Sequence, residues 1–371
     1  MSTALTIQRL LQAMKESKAS DLHIKVGSPP MFRVAAKLLH VEADSLTPEA
    51  TQQLLWPMIP ERLRSQVDAA GGVDFSYHME DGERFRCSVF RAGGGLHAAI
   101  RRVNPQVPNF EQLHLPKIYE QFTTDAHDGL IIICGVTGSG KSSTLAAMLQ
   151  HINEHRQCNI LTIEDPVEYA FHPKLSYFSQ REIGIDVPDF PTALRSAVRQ
   201  DPDVMMIGEL RDRETILAGI QAAETGHLVF VTLHSADTMQ AFARMMEFFD
   251  AKDHRFIRSS LAASLRAVAA QKLVPSIKPD TQRVPATEVL LNNSTVAERI
   301  REGRDEELPA VIAGASEEGM HDFNGSLYQL VKDDWIDPHV AEQYSLHPGA
   351  LRSRLHGIEV KADTLIGKMH S

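Results

Sequence analysis

The feature that most constrains this chain is a glycine-rich segment that directly follows an apolar run. The run "GLIIIC" leads into "GVTGSGKSST", which satisfies the pattern G-x-x-x-x-G-K-[ST] in full. In such a loop, backbone N–H groups converge on phosphate oxygens without interference from Cβ atoms, and the following helix presents its positive end. We therefore expect a nucleotide site, in which Lys141 reaches the β- and γ-phosphates and Ser142 offers its hydroxyl to Mg²⁺. The predicted phosphate-binding residues are Gly135, Val136, Thr137, Gly138, Ser139, Gly140, Lys141, Ser142 and Ser143.

The part of the chain around this loop has the pattern of an α/β domain. The segments "GLIIIC", "NILTI", "VMMIG" and "LVFVTL" are uniformly apolar and alternate with helix-like segments such as "SSTLAAMLQHINEH" and "RETILAGIQAAE". Strands buried on both faces and separated by helices are typical of a parallel sheet. We predict this domain over residues 119–371, with a mainly helical region from about residue 292.

The first hundred residues instead predict a small α+β domain, over residues 1–101. Segments such as "DLHIKVG", "VDFSYHM", "RFRCSVF" and "LHAAIRRV" alternate apolar and polar residues with period two, as strands with one buried face do. Between them, "TPEATQQLLWPMIPERLRSQV" is typical of a helix with Thr47 as its N-cap and Pro48 at its first position. The proline-rich residues 102–118 are the predicted linker.

Two acidic residues stand at the ends of apolar strands, Glu164 in "NILTIEDPVEY" and Glu209 in "DPDVMMIGELRD". Ligands of α/β sheets bind at the carboxyl ends of the strands, so these acids are candidates for orienting water and holding the metal. Asp203 precedes its strand, which at about 3.3 Å per residue carries it roughly 13 Å from the site. As alternatives, Glu164 and Asp165 cap the turn that follows, and Glu209 forms only an ion pair with Arg211.

Two histidines bracket a third apolar strand, in "TGHLVFVTLHS". His234 closes the carboxyl end, where it is expected to contact the γ-phosphate. His227 begins the strand at the opposite end, so geometry alone gives it no contact with nucleotide. A structural, hydrogen-bonded role is the alternative for each, and neither has the spacing of a metal ligand.

Composition argues against several other classes of protein. The net charge of −10 argues against a nucleic-acid binder. No apolar run approaches the roughly 20 residues of a membrane span, and the N-terminus lacks the layout of a signal peptide, so we expect a cytoplasmic protein. The three cysteines, Cys87, Cys134 and Cys158, form no C-x-x-C pair, which predicts reduced structural thiols and no cysteine-built zinc site.

Taken together, the motifs resemble those of the type IV pilus retraction ATPases (PilT-like), members of the secretion-ATPase superfamily with a RecA-like core. The resemblance runs from "ASDLHIKVGSPPMFRV" through the phosphate loop, "LTIEDPVEY", "SQREIG", "ALRSAVRQDPDVMMIGELRD" and "TGHLVFVTLHS" to about residue 292. These segments resemble the family's Walker A, Asp box, Walker B and His box, in order and at the family's spacing. The resemblance implies a PAS-like N-terminal domain and a homohexamer that hydrolyses ATP with Mg²⁺.

Roles for individual residues also follow from the resemblance. It implies that Glu164 polarises the attacking water and that Glu209 is the Walker B acid and Mg²⁺ ligand. It places both His227 and His234 in the His box, as catalytic residues.

The resemblance also gives a meaning to arginines of the first domain. By strand parity, Arg84, Arg86 and Arg101 point away from the small domain's core, and Arg91 ends its strand. A solvated sheet face is one interpretation. The other is that some of them, Arg86 and Arg101 first, are arginine fingers that neutralise charge at the γ-phosphate.

Among pilus motors, absences favour retraction and twitching motility. Assembly and type II secretion ATPases usually carry a long extra N-terminal domain and a four-cysteine motif, whereas this chain starts at the small domain. The expected partner is the platform protein of the type IV pilus, at the cytoplasmic face of the inner membrane. Only Ile300, Arg301 and Glu302 match the family's "AIRNLIRE" helix, so an accessory retraction motor stays open. An assembly or type II secretion ATPase and a RecA-like nucleic-acid translocase are the further alternatives.

Overall fold

The computed structural model describes residues 5–35 and 37–357; the outer ends of both predicted domains, residues 1–4 and 358–371, lie outside this range. The described residues fall into two compact units. The N-terminal unit comprises the chain up to Gln106 together with Val167–Ala170, and the C-terminal unit comprises Val107–Pro166 and the chain from Phe171.

The N-terminal unit is built on a six-stranded antiparallel sheet in the order β3-β2-β1-β6-β5-β4. Its strands are β1 Asp21–Ile24, β2 Met31–Val34, β3 Lys37–His40, β4 Gly72–His78, β5 Arg84–Ala92 and β6 Gly95–Arg102. Its helices are α1 Ile7–Glu16, α2 Pro48–Leu55 and α3 Glu61–Ala70, with a 3-10 turn at Trp56–Met58. The alternating pattern predicted the buried face correctly, since the apolar members of β4, β5 and β6 form the core, among them Phe75, Phe85, Cys87, Val89 and Ile100.

The helical segment between β3 and β4 begins as predicted and then breaks. The Thr47 side chain accepts a hydrogen bond from the Ala50 amide, and Pro48 takes the first helical position. The segment is helical as predicted, but Pro57 and Pro60 divide it, because they cannot donate the backbone hydrogen bonds that would continue α2. The segment therefore forms α2, the 3-10 turn and α3 in succession.

The C-terminal unit contains a seven-stranded sheet in the order β13-β12-β7-β11-β10-β8-β9. Every neighbouring pair is parallel except β12 and β13, which are antiparallel. The strands are β7 Gly129–Cys134, β8 Asn159–Glu164, β9 Tyr177–Glu182, β10 Val204–Ile207, β11 Leu228–Leu233, β12 Leu265–Pro275 and β13 Arg283–Leu291. All residues of β7, β10 and β11 are buried, which is the reason these segments are uniformly apolar.

Helices cover this sheet and then continue beyond it. Those connecting the strands are α4 Ile118–Thr124, α5 Lys141–His155, α6 Phe190–Ala197, α7 Arg213–Glu224, α8 Thr238–Met246 and α9 His254–Ser264. The region after the last strand contains α10 Ser294–Glu302, α11 Leu308–Gly314, α12 Phe323–Lys332, α13 Pro338–Tyr344 and α14 Pro348–Leu355, with 3-10 turns at Asp305–Glu307 and Ser316–Glu318. No helix within residues 5–35 and 37–357 is both long and apolar enough to cross a bilayer.

The strand order determines which side chains meet. Because β7, β11, β10 and β8 are parallel neighbours, their carboxyl ends lie along one edge of the sheet. The phosphate loop follows β7 at this edge. Glu164 ends β8, while Glu209 and His234 follow β10 and β11.

Candidate nucleotide-binding site

The phosphate loop has a backbone that glycine alone adopts without strain. Gly135, Gly138 and Gly140 have φ values of 154°, 78° and 93°. At Gly135 a Cβ would also lie 2.3 Å from the Ser139 hydroxyl oxygen and 2.7 Å from the Gln271 carbonyl oxygen. The loop therefore combines an unusual backbone with a tight approach to β12, as a cradle of converging N–H groups requires.

Lys141 begins α5 and lies against the loop that precedes it. Its ammonium group donates to the carbonyl oxygens of Gly135 at 2.8 Å and Val136 at 3.3 Å. Burial lowers the pKa of Lys141, and the nearby Glu209 carboxylate acts in the opposite direction. In the same turn Ser142 is exposed. A buried cation and an exposed hydroxyl thus stand side by side at a helix N-terminus, an arrangement that suits anionic phosphates.

Gln271, on β12, supports the loop and was missed by the sequence analysis. It is 1% exposed. Its amide nitrogen donates to the Ser139 carbonyl oxygen at 2.7 Å, and its amide oxygen accepts from the Thr144 hydroxyl at 3.0 Å. Gln271 therefore ties the loop to the first turn of α5. The available signal was a lone amide in the apolar segment "LRAVAAQKLV".

Glu209 lies at the centre of a charged network. One carboxylate oxygen accepts from Arg211 at 2.7 Å, and the other is 3.4 Å from the His234 Nε2 atom. Arg211 also donates to Asp165 at 3.0 Å. The ion pair that was the alternative interpretation of Glu209 therefore exists, and it holds the carboxylate beside Lys141 and His234.

Glu164 is buried at the end of β8, with 6% exposure. Its Oε1 atom accepts hydrogen bonds from the Thr162 hydroxyl at 2.6 Å and the Gln180 amide at 3.0 Å. Gln180 belongs to β9, the neighbouring strand. These bonds hold the carboxylate in a fixed orientation, as a general base requires.

The structure separates the two histidines. His234 follows β11 at the loop edge, where burial lowers its pKa, the charge of Lys141 lowers it further and Glu209 opposes both. His227 precedes β11, roughly 20 Å away along the strand, and its Nδ1 atom is 2.9 Å from the Ala222 carbonyl oxygen. It lines a cavity at that opposite edge together with Asp203. Within its own chain, His227 is therefore not brought to the phosphate loop.

The arginines of the N-terminal unit that the sequence singled out differ in their exposure and partners. Arg86 and Arg101 are exposed, as strand parity predicts. Arg84 lies in the same strand as Arg86 but is buried at 9% exposure and donates to the Ser76 hydroxyl at 3.3 Å. Its expected place on a solvated face is therefore wrong, because its guanidinium lies over the neighbouring strand β4. Arg91 pairs with Asp68 of α3.

The donors at the loop fit a magnesium ion. Ser142 and Glu209 supply a hydroxyl and a carboxylate, the oxygen ligands that Mg²⁺ prefers. Among the described residues, no three His, Cys, Asp or Glu side chains are grouped around one point as metal ligands. Mg²⁺ binds through one or two protein oxygens together with phosphate and water, so this donor set is sufficient.

A largely parallel sheet whose phosphate loop lies beside acids from neighbouring strand ends defines a P-loop nucleotide-binding protein. The model of the Type II/IV secretion system protein family matches residues 3–308. The chain belongs to this family.

Several relatives resemble the chain over most of its length. A type IV pilus ATPase, PilU, from Pseudomonas aeruginosa is 37% identical, over 88% of this chain and 85% of the relative. The type IV pilus retraction ATPase PilT of the same organism is 34% identical, over 93% and 99% of the two chains. The crystal structure of a pilus retraction motor, PilT, with bound ADP superimposes with a TM-score of 0.85 at 36% identity, covering 94% of this chain and 99% of that one. The predicted fold class, a RecA-like core with a smaller PAS-like domain, is confirmed.

Proposed function

We propose that this chain is the ATP-hydrolysing motor of type IV pilus retraction. The observation that carries the proposal is the meeting of the phosphate loop, Glu164 and Glu209 at one sheet edge, on a fold shared with a retraction motor. The phosphate loop by itself accounts only for phosphate binding. Hydrolysis also needs a carboxylate beside the attacking water and another beside the metal, and this edge carries both.

The chemistry follows from the placement of these groups. Backbone amides of the loop and Lys141 would bind the β- and γ-phosphates, while Ser142 and Glu209 would hold Mg²⁺. When bound, Mg²⁺ neutralises charge that develops on the phosphate oxygens. Glu164 orients water for attack on the γ-phosphorus and accepts its proton, while the bond from that phosphorus to the β–γ bridging oxygen breaks and ADP leaves. His234, held close to Glu209, hydrogen-bonds the γ-phosphate.

The remaining roles belong to the assembled motor. We assign Arg86 and Arg101 to neutralisation of the terminal phosphate in a homohexamer. His227 is assigned to catalysis on the resemblance of its segment, and its place at the start of β11 favours a supporting role in the assembly. The proposed partner is the platform protein of the pilus, at the cytoplasmic face of the inner membrane.

A phosphate-release assay tests the enzymatic part of the proposal. Glu209→Gln should lower Mg²⁺-dependent ATP turnover by at least about 100-fold while ADP still binds. Glu214→Gln is the matched control, because Glu214 lies five residues further on in α7 and its side chain is 68% exposed. Turnover of Glu209→Gln at the wild-type rate, or stimulation of the wild type by DNA, would contradict a pilus motor of this kind.

Deletion in the source organism tests the direction of the motor. If the chain powers retraction, cells without it should keep their surface filaments and lose twitching. Loss of the filaments would instead identify an assembly motor. A deletion that leaves twitching intact in otherwise wild-type cells would favour the accessory role. The test of main against accessory motor matters because the relatives named PilU and PilT are almost equally identical to this chain.

A further inference from the structure

A cavity of about 380 Å³ adjoins the phosphate loop on its β12 side. One wall is the loop itself with the first turn of α5, at Gly140, Ser143 and Thr144. A second wall is the segment 112–115, and a third is the turn that joins β12 to β13, at residues 280–283. The cavity thus begins where the predicted phosphate site ends.

The chemistry of this cavity suits the nucleoside part of a nucleotide. This assignment rests on the proposed function. Leu113, Leu115 and Leu273 present apolar surface to it, and Gln112 and Gln282 contribute amide groups. The turn between β12 and β13 adds the charged residues Asp280 and Arg283 to the lining. Ligand sites commonly combine an apolar lining with a few such polar groups, which fix the orientation of a planar ring. A nucleotide whose phosphates occupy the loop would place its base and ribose here.

Trp335 connects the two walls that lie outside the loop. It lies between α12 and α13, and its ring centroid is 4.3 Å from that of His114 in the segment 112–115. On the other side, its carbonyl oxygen accepts from the Ile277 amide at 2.9 Å, and the Lys278 ammonium lies 5.6 Å from the ring centroid. Both residues belong to the turn between β12 and β13.

Local hydrogen bonds shape each of these two turns, where the first is the segment 112–115 and the second is the turn between β12 and β13. In the first, the Leu115 amide donates to the Phe110 carbonyl oxygen at 3.0 Å, and His114 has a φ of 53°. In the second, the Ser276 amide donates to the Gln282 carbonyl oxygen at 3.0 Å. Such bonds shape a turn but do not set its position relative to another turn. Phe110 and Leu115 also pack against the core, which anchors the first turn. The Trp335 ring contacts His114 of the first turn and Lys278 of the second, and so contributes to their separation.

We propose that Trp335 is a positioning residue that holds the nucleoside cavity in its binding shape. It belongs to the helical region after the last strand, which thereby acts on the nucleotide without contributing to the phosphate loop. Removing its ring should loosen the cavity walls and leave the loop, α5 and their Gln271 bridge in place. The nucleoside contribution to binding is then lost and the phosphate contribution is kept.

The experiment compares ATP with inorganic triphosphate, which has the phosphates and no nucleoside, in the full-length protein. For Trp335→Ala, the KM for ATP should rise about 5- to 10-fold while kcat changes by less than about 2-fold. The Ki of inorganic triphosphate in the presence of Mg²⁺ should change by less than about 2-fold. Trp335→Phe, which keeps a ring against His114, should restore most of the ATP affinity.

Tyr328→Ala is the matched control, because Tyr328 is an aromatic residue of α12 whose ring contacts Lys332 and Arg354 rather than the cavity walls. An unchanged KM in Trp335→Ala, an equal rise in the Ki of triphosphate, or the same split in Tyr328→Ala would overturn the proposal. Failure of the proposed function is recognised separately, since the wild type would then release no phosphate. The dissociation constants of ADP and pyrophosphate would in that case provide the same comparison, with the same outcomes.

Discussion

Arg86 and Arg101 lie directly opposite each other on the antiparallel strands β5 and β6. Both side chains are on the exposed face, and that of Arg101 is 69% exposed while its Nε atom donates to Asp21 at 2.8 Å. Like charges at directly opposite positions of a sheet disfavour folding. The Asp21 carboxylate offsets part of this repulsion at Arg101. Under the proposed function, a terminal phosphate is a further anion for the pair.

The first prediction concerns these two arginines. Arg86→Ala or Arg101→Ala should lower ATP turnover by about 100-fold or more while the Kd of nucleotide stays within about 3-fold, because the charge acts on the transition state. Arg91→Ala, which removes an exposed arginine from the same strand as Arg86, should keep wild-type turnover. Phosphate release and equilibrium binding measure both quantities. Wild-type turnover in both test variants would reject the role.

The second prediction concerns Glu164. Glu164→Gln should lower kcat by about 100-fold or more, because an amide cannot accept the proton of the attacking water. Thr162→Val, which deletes one of the hydrogen bonds that orient the carboxylate, should lower kcat by about 10-fold and leave KM unchanged. Single-turnover kinetics with both variants are the measurement. A Glu164→Gln enzyme that turns over normally would show that another group activates water.

The third prediction is a pH dependence that originates in His234. Burial and the charge of Lys141 lower its pKa, so the neutral imidazole persists below the usual histidine range and is lost only on further acidification. Glu209, Arg211 and Arg244 are the other charged groups that act on it. Protonated His234 would form an ion pair with Glu209 and compete with Mg²⁺ for that carboxylate, so we expect kcat to fall on the acidic side of pH 6.5, the ordinary histidine value.

The His234→Gln variant provides the control for that profile. A glutamine keeps a hydrogen-bonding group but does not titrate, so the acidic decrease should flatten. The stability of the fold depends on pH with the same sign as kcat. Because the pKa of His234 is lowered in the folded protein, the unfolded chain binds more protons, and stability decreases as pH falls through the unfolded pKa. An identical acidic decrease in wild type and variant would assign the titration to another group.

The fourth prediction concerns Gln271. Gln271→Leu removes its hydrogen bonds to Ser139 and Thr144 and leaves two buried polar groups without this partner. The free energy of unfolding should fall by about 1–3 kcal/mol, and nucleotide affinity should fall as well, because the loop loses its anchor on β12. Urea unfolding and ADP binding are the measurements. Thr144→Val, which removes only one of the bonds, should give a smaller effect, and an effect as large as that of Gln271→Leu would point to simple packing.

Local chemistry determined much of the fold and of the phosphate site. The glycine pattern predicted the loop, period-two alternation predicted β1, β4, β5 and β6, and apolar runs predicted the parallel strands β7, β8, β10 and β11. Such signals depend on backbone conformation and on which faces are buried, and both are recorded in consecutive residues. The sequence also predicted which edge of the sheet carries Glu164, Glu209 and His234. A residue that ends or follows a parallel strand lies at the edge formed by the carboxyl ends of the strands.

The tertiary structure alone decided the contacts between distant segments. Gln271 meets the loop because β12 pairs with β7, and Trp335 meets His114 although more than 200 residues separate them. Arg211 joins Glu209 to Asp165 only because β8 and β10 are neighbours. Arg84 became buried for a similar reason, by contact with the next strand. A side chain's partner across the fold depends on strand order and helix packing, which no local pattern of residues encodes.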